Sequence, residues 1–309
     1  MLAPLGSGGA ERASTARTPG VSVVIVNWNA GAALAKCLAS VAGDDGCEVI
    51  LVDNGSSDGS TDAARDRYRD VAVLPMGRNL GFGAGANHGA ERARGEVVVF
   101  LNPDACLLPG ALRTLVDALL LTPGAGIAGG GLMDERGRWQ PAAARFGPLR
   151  HLVLDTTVGR LPARRRRVPY PVDWVYGTFL AVRRDLFRHL GGFDARYFMY
   201  GEDLDLCYRA ACQGMRTIHV PRARAIHVGS LSARARFGAE REAEVVKGEM
   251  RFYAARRGAH ELRLFRFAAS CKFGLKAAWA VVRGRRTTAA IYGRVLRACV
   301  AFDPSRETG

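Results

Sequence analysis

The residues able to do chemistry in this 309-residue chain are mostly carboxylates and amides standing where apolar runs end. Val97–Leu101 is apolar and β-branched, and it stops at Asn102-Pro103-Asp104. Such a run reads as a strand buried on both faces. Pro103 has no N–H for a ladder, so the strand ends there. Asn102 and Asp104 are then left at the C-terminal edge, where open α/β sheets bind ligands. A carboxylate and an amide there suit a hard divalent cation carrying phosphate oxygens. Taken alone, the tripeptide reads equally as a turn, because all three residue types are common turn formers.

Companions occur at comparable places. Val21–Val26 runs into Asn27-Trp28-Asn29-Ala30-Gly31, and Glu48–Val52 runs into Asp53-Asn54-Gly55. In a parallel sheet these ends face the same edge. Asp53 can accept hydrogen bonds from a ribose or a base, and Trp28 offers a stacking face, although a turn and a core plug are the bland alternatives. Glu202, Asp203 and Asp205 open a helix, where the dipole favours anions. They serve either as a general base with its support or as helix caps. Tyr197, Phe198 and Tyr200 just before them can shape a sugar-binding wall. His227 lies on a short apolar run. A lone histidine there is usually structural, but a site with one good carboxylate needs a second ligand, and imidazole suits Mn²⁺ better than Mg²⁺.

The elements that must position these groups follow from periodicity. Leu34, Cys37, Leu38 and Val41 recur at helical spacing between the first two strands, giving a βαβ unit. Ser60 is expected to cap a second helix, and Val71–Leu74 makes a third strand. Gly77–Gly89 is glycine-rich and enters a helix. It follows the third strand rather than the first and only loosely resembles G-x-G-x-x-G, so it reads as backbone closely approaching a ligand, not as a hydride-transfer fingerprint. A helix near 109–121, a strand and hairpin over 126–139, and an excursion rich in Pro and Arg over 140–172 follow. Then come a strand over 174–182, a short helix over 184–190, and short strands at 218–220 and 225–228. The alternation predicts a doubly wound, mostly parallel α/β sheet.

Composition narrows the class. The chain carries 44 Lys and Arg against 29 Asp and Glu, net +15. The first part is acidic and the end strongly basic, which argues against a nucleic-acid coat and for a catalytic body with a basic surface facing anionic lipid. The 7 cysteines form no C-x-x-C pair and read as buried free thiols. Residues 1–19 read as a disordered lead-in, and no apolar run is long enough to span a membrane.

Six stretches in order, VSVVIVNWNAG, LVDNGSSDGS, RNLGFGAGANHG, VVVFLNPDA, GTFLAVRRDLF and FMYGEDLDLCYR, resemble the landmarks of family-2 inverting glycosyltransferases, with bacterial rhamnosyltransferases the nearest likeness. The resemblance covers about residues 20–235. It implies a GT-A fold with a nucleotide-sugar half (20–131) and an acceptor half (132–235); beyond these the chain's own pattern reads as a basic helical extension (236–309). It further implies a dTDP- or UDP-sugar donor, Mn²⁺ or Mg²⁺, and a single displacement that inverts the anomeric centre. Val26, Trp28, Asp53, Asn79, Asn87, Asn102 and Asp104 would hold the donor, and Asp104 with His227 the metal. Asp203 matches the base, supported by Glu202 and Asp205. Trp174, Gly177 and Thr178 would lie near a lipid-linked or polysaccharide acceptor. Asn102 departs from the family by replacing the first Asp of D-x-D, which leaves it as a ribose or water contact.

Residues 261–298 mix Leu, Phe, Trp and Val with basic side chains that fall on no single helical face. Attachment to the inner face of the plasma membrane from the cytoplasm, or packing on the body or a second subunit, would each use them. The rival readings are another donor sugar (GlcNAc, Gal or Galf), a nucleotidyltransferase, and a non-enzymatic sugar- or membrane-binding module. No Lys or Arg follows the first strand, where a nucleotidyltransferase would carry a basic loop.

Overall fold

The computed structural model describes residues 20–42, 46–147, 166–229 and 237–304. Strands β1 (Val21–Asn27), β2 (Glu48–Asp53), β3 (Ala72–Pro75) and β4 (Val97–Leu101) lie parallel in the order β3-β2-β1-β4. Helices α1 (Ala32–Val41), α2 (Ser60–Arg67) and α3 (Phe82–Arg92) connect them. Every residue of β1 and β4 is buried, which explains their unbroken apolar sequence. Alternate side chains of β1 serve two cores: Val24 and Val26 pack with Ala86 and Ala90 of α3, while Val23 and Ile25 pack with Leu34 and Leu38 of α1.

Beyond β4 the sheet is mixed. After β5 (Ala105–Leu107), α4 (Ala111–Leu121) and β6 (Ala125–Met133) come the short strands β7 (Trp139–Gln140), β8 (Ala143–Ala144), β9 (Tyr170–Val172) and β10 (Trp174–Val175). Strand β11 (Phe179–Arg183), α5 (Arg184–His189), α6 (Glu202–Cys212) and β12 (Arg216–His227) follow. The sheet continues β4-β11-β6-β12-β5, with β11 antiparallel to both neighbours. The segments expected as two short strands around 218–228 are one strand, β12, whose register shifts between Val220 and Arg224. Strand β6 pairs with β12 on both sides of that irregularity, while on the other edge Thr217–His219 pair with β9 and Ala225–His227 with β5.

Other local expectations change as well. Asp58, not Ser60, caps α2: its Oδ1 accepts the Ser60 N–H at 3.1 Å and the Ser60 hydroxyl at 2.6 Å. The 140–172 excursion is ordered at both ends, since β8 pairs with β10 and β9 with β12. The Arg164–Arg167 run begins outside the described residues, as does the 1–19 lead-in. Cys37, Cys207 and Cys299 are buried as expected, but Cys212 and Cys271 are exposed.

The chain ends in helices: α7 (Arg241–Phe252), a π-helical turn (Tyr253–Arg257), α8 (Ala259–Val282) and α9 (Arg286–Ala301). Helices α8 and α9 form a hairpin that packs on α7. Among the described residues no helix is long and apolar enough to cross a membrane.

Candidate active site

The strand registers bring the expected residues together. The β1–β2 register sets Asn27 beside Asp53. The antiparallel β4–β11 pair sets Leu101 against Phe179, so the Asn102 N–H donates to the Thr178 carbonyl at 3.0 Å. The β5–β12 pair sets His227 against Ala105, which delivers the imidazole to Asp104. One cleft of about 900 Å³ opens along these ends. Val26, Trp28, Asn79, Asn102, Asp104, Trp174, Gly177, Thr178, Glu202, Asp203 and His227 all line it.

On the strand-end side, buried amides hold the loops. Asn27 Nδ2 donates to Ser56, Ser60 and Thr61 at 2.9–3.1 Å, and its Oδ1 accepts the Ala30 N–H. Asn54 donates to Asn79 Oδ1 and the Gly81 carbonyl, each at 3.0 Å, and accepts the Leu80 N–H. These bonds lock the Trp28 turn, the Asp53 turn and the Asn79 loop against one another.

Asp104 is only 4% exposed, and its Oδ1 lies 3.4 Å from His227 Nε2. The orientation of that ring is fixed from behind. Gln140 donates through Nε2 to the His227 carbonyl at 2.9 Å, so its Oε1 faces His227 Nδ1 at 3.1 Å. Nδ1 then donates to Gln140, and a neutral ring would present its Nε2 lone pair on the side of the Asp104 carboxylate. A carboxylate oxygen and an imidazole nitrogen 3.4 Å apart are both donor types that a divalent cation takes. Among the described residues no three His, Cys, Asp or Glu side chains form a metal cage. Two protein donors nevertheless fit a Mn²⁺ or Mg²⁺ whose other ligands are phosphate and water oxygens.

Asp203 stands on the opposite kind of support. Its Oδ2 accepts the Gly177 N–H at 2.9 Å and its Oδ1 the Leu204 N–H at 2.7 Å. Burial raises its carboxyl above the ordinary range, assisted by the charge of Glu249. Glu202 is 6% exposed with Oε2 unpartnered in a hydrogen bond. Its carboxyl is raised by burial and then by the Asp203 charge. The two carboxyls sit side by side at the start of α6, so their protons leave in steps that belong to the pair. A proton-accepting carboxylate on a cleft wall, oriented by two amides, can act as a general base.

Three expected residues do not line the cleft. Asp205 is fully buried between Arg209 Nε and Arg256 Nε, each at 2.6 Å. It joins α6 to the C-terminal helices instead of supporting the base. Asn87 bridges the backbone of Phe193, donating to its carbonyl and accepting its N–H, both at 2.8 Å. Asp53 accepts the Ser56 N–H at 3.0 Å and shapes the loop beside Asn54. The glycine-rich passage also works differently from expectation. A Cβ at Gly85 would meet Val26, and one at Gly89 would meet Val24 and Val52. These glycines let α3 lie directly on the sheet. Of the aromatic residues before Glu202, Tyr200 lines the cleft, whereas Tyr197 is buried.

Helix α7 was not anticipated here. It contributes Arg241, Glu242, Val245 and Glu249 to the cleft. Gly201 and Gly248 permit this, because a Cβ at Gly248 would strike the Tyr200 backbone and one at Gly201 would come 2.7 Å from the Gly248 carbonyl. The Glu and Val spacing of Glu242, Val245 and Glu249 on one helical face was the available signal.

Residues 22–191 match the Glycosyl transferase family 2 profile. The N-acetylglucosaminyl-diphospho-decaprenol L-rhamnosyltransferase of Mycobacterium tuberculosis is 37% identical over 230 residues, 66% of this chain and 75% of that protein. Rhamnosyltransferase WbbL of Escherichia coli is 50% identical over 56 residues, 18% of this chain and 21% of that protein. The mannosyltransferase PcManGT of Pyrobaculum calidifontis, solved with GDP-Man and Mn²⁺, superposes with a TM-score of 0.57 at 20% identity, over 93% of this chain and 87% of that one. The GT-A arrangement is therefore shared, and the chain is a glycosyltransferase belonging to family 2.

Proposed function

We propose that this glycosyltransferase inverts the anomeric centre and depends on a divalent cation. Its donor would be dTDP-rhamnose and its acceptor a lipid-linked or polysaccharide glycan of the cell envelope, met at the inner face of the plasma membrane. The observation that carries this reading is a single cleft that holds both the Asp104–His227 pair and the amide-bound Asp203. The rhamnosyltransferase relatives support the donor and the lipid-linked acceptor.

Val26 and Trp28 would pack on the base, with Asn102 on the ribose. Asp104 and His227 would hold the cation, which when bound supplies positive charge to the departing diphosphate. Gly177 and Leu204 N–H groups aim Asp203, whose raised proton affinity suits it to take the proton of an acceptor hydroxyl near neutral pH. Trp174, Gly177 and Thr178, with Glu249 of α7, would border the acceptor.

Turnover of dTDP-rhamnose against UDP-GlcNAc, UDP-galactose and UDP-galactofuranose, with and without Mn²⁺ or Mg²⁺, tests the reading. Proton NMR of the product should show inverted configuration. Turnover with a UDP-sugar alone would move the assignment to that donor. A product of retained configuration would remove Asp203 from its role.

A further inference from the structure

The sequence of 261–298 shows no clean amphipathic stripe, and the structure explains why. Helix α8 has two apolar faces. Leu262, Phe265, Ala269, Phe273 and Ala280 are buried inward. Phe267, Cys271, Leu275, Ala278 and Val282 are exposed. At 3.6 residues per turn those five fall within an arc of about 80°, and the stripe runs about 22 Å along the helix. Leu275 is 75% exposed, Val282 76%, and Trp279 at the edge of the stripe 59%. The Arg283 guanidinium stacks on the Trp279 ring at 4.7 Å.

Charge decides what covers this face. Between Glu261 and Asp303 the sequence contains no acidic residue. Arg263 stands exposed beside the start of the stripe, and Arg283, Arg285 and Arg286 are exposed at the bend where it ends. A second copy docking here would set arginines against arginines with no carboxylate in the segment to separate them. An anionic lipid surface supplies both missing partners: hydrocarbon for the stripe and negative headgroups for the flanking cations. Trp279 under Arg283 suits the boundary between the two.

We propose that the outward face of α8, with the arginine-rich bend between α8 and α9, is a docking surface for an anionic bilayer. Arg294 holds the hairpin to Glu240 at 3.2 Å. Helix α7, on which α9 packs, forms a wall of the cleft, so lipid contact is mechanically joined to the acceptor side. The membrane-borne acceptor gives this surface its purpose, but the geometry stands without it.

Vesicle flotation of the full chain, with no donor or acceptor present, tests it. Binding to mixed phosphatidylglycerol–phosphatidylcholine vesicles is expected, weakening as salt is raised, with little binding to phosphatidylcholine alone. Arg283→Ser, Arg285→Ser and Arg286→Ser should each lower the partition coefficient about fivefold. Leu275→Ser with Val282→Ser should lower it about tenfold or more, with circular dichroism unchanged. Equal binding to both vesicle types, or to neither, overturns the proposal. So does a dimer, seen by light scattering, that Leu275→Glu dissociates. Because nothing is transferred in this assay, its failure leaves the sugar-transfer reading standing, and loss of transfer leaves lipid binding standing.

Discussion

Asp104 and Asp203 line the same cleft, yet their surroundings are opposite. Asp104 faces the His227 imidazole at 3.4 Å, a ring held from behind by Gln140. Asp203 faces two backbone amides, with Glu202 and Glu249 as electrostatic neighbours. The first is arranged to share a positive charge, and the second to hold and release a proton. The difference shows that chemical role is set by what each carboxylate looks at, not by the carboxylate itself.

The largest effect should come from Asp203→Asn, which keeps one of the two amide contacts through its Oδ1 but removes the base. Transfer measured by product formation should fall by about 10²–10⁴-fold. Gln140→Leu should be next. It frees the His227 ring without touching the carboxylate, and should weaken Mn²⁺ affinity or activity about 10–100-fold, read by calorimetry. Gly248→Val forces α7 away from Tyr200. A loss of about 1–3 kcal/mol is expected, read as a lowered Tm, together with weaker acceptor use.

The smallest effect concerns pH. Asp203 is active when deprotonated, and its carboxyl is raised, so activity should fall on acidification at a pH above the ordinary carboxylate range. Glu249→Gln should move that limb to lower pH, because the Glu249 charge helps raise the Asp203 carboxyl. For stability the sign runs the other way. Raised carboxyls bind more protons folded than unfolded, so their contribution is full below the unfolded values and is lost as pH rises through the folded ones. Glu202→Gln should therefore help stability most at alkaline pH, as thermal melts across pH would show.

Much of this was legible from local pattern. Fully buried strands read as unbroken apolar runs, and their polar endings marked the cleft at Asn102, Asp104 and Trp28. Asp203 and His227 were identifiable from residue type and position. Helix geometry separates Asp205 from the cleft: two residues after Asp203, it points about 200° around α6, into the Arg209–Arg256 clamp. Asn87 turns to the Phe193 backbone, and glycines that admit a ligand and glycines that admit a helix onto a sheet look alike in sequence. Gln140 had no local signal, and the helical-face spacing of Glu249 did not by itself place it in the cleft. Glu249 depends on the Gly201–Gly248 approach and Gln140 on a hairpin folding back to the end of β12. The two-faced α8 hid its outer stripe for a related reason, since inward and outward apolar residues cancel in any single-face count.

A double dissociation would separate the two carboxylates. Calorimetry with dTDP, with and without Mn²⁺, on Asp203→Asn and Asp104→Asn, beside transfer rates for both, gives it. Asp203→Asn should keep Mn²⁺-dependent nucleotide binding while transfer collapses, and Asp104→Asn should lose the Mn²⁺ dependence of binding itself. Full transfer by Asp203→Asn, or unchanged Mn²⁺-dependent binding by Asp104→Asn, would contradict the division between a charge-holding and a proton-taking carboxylate.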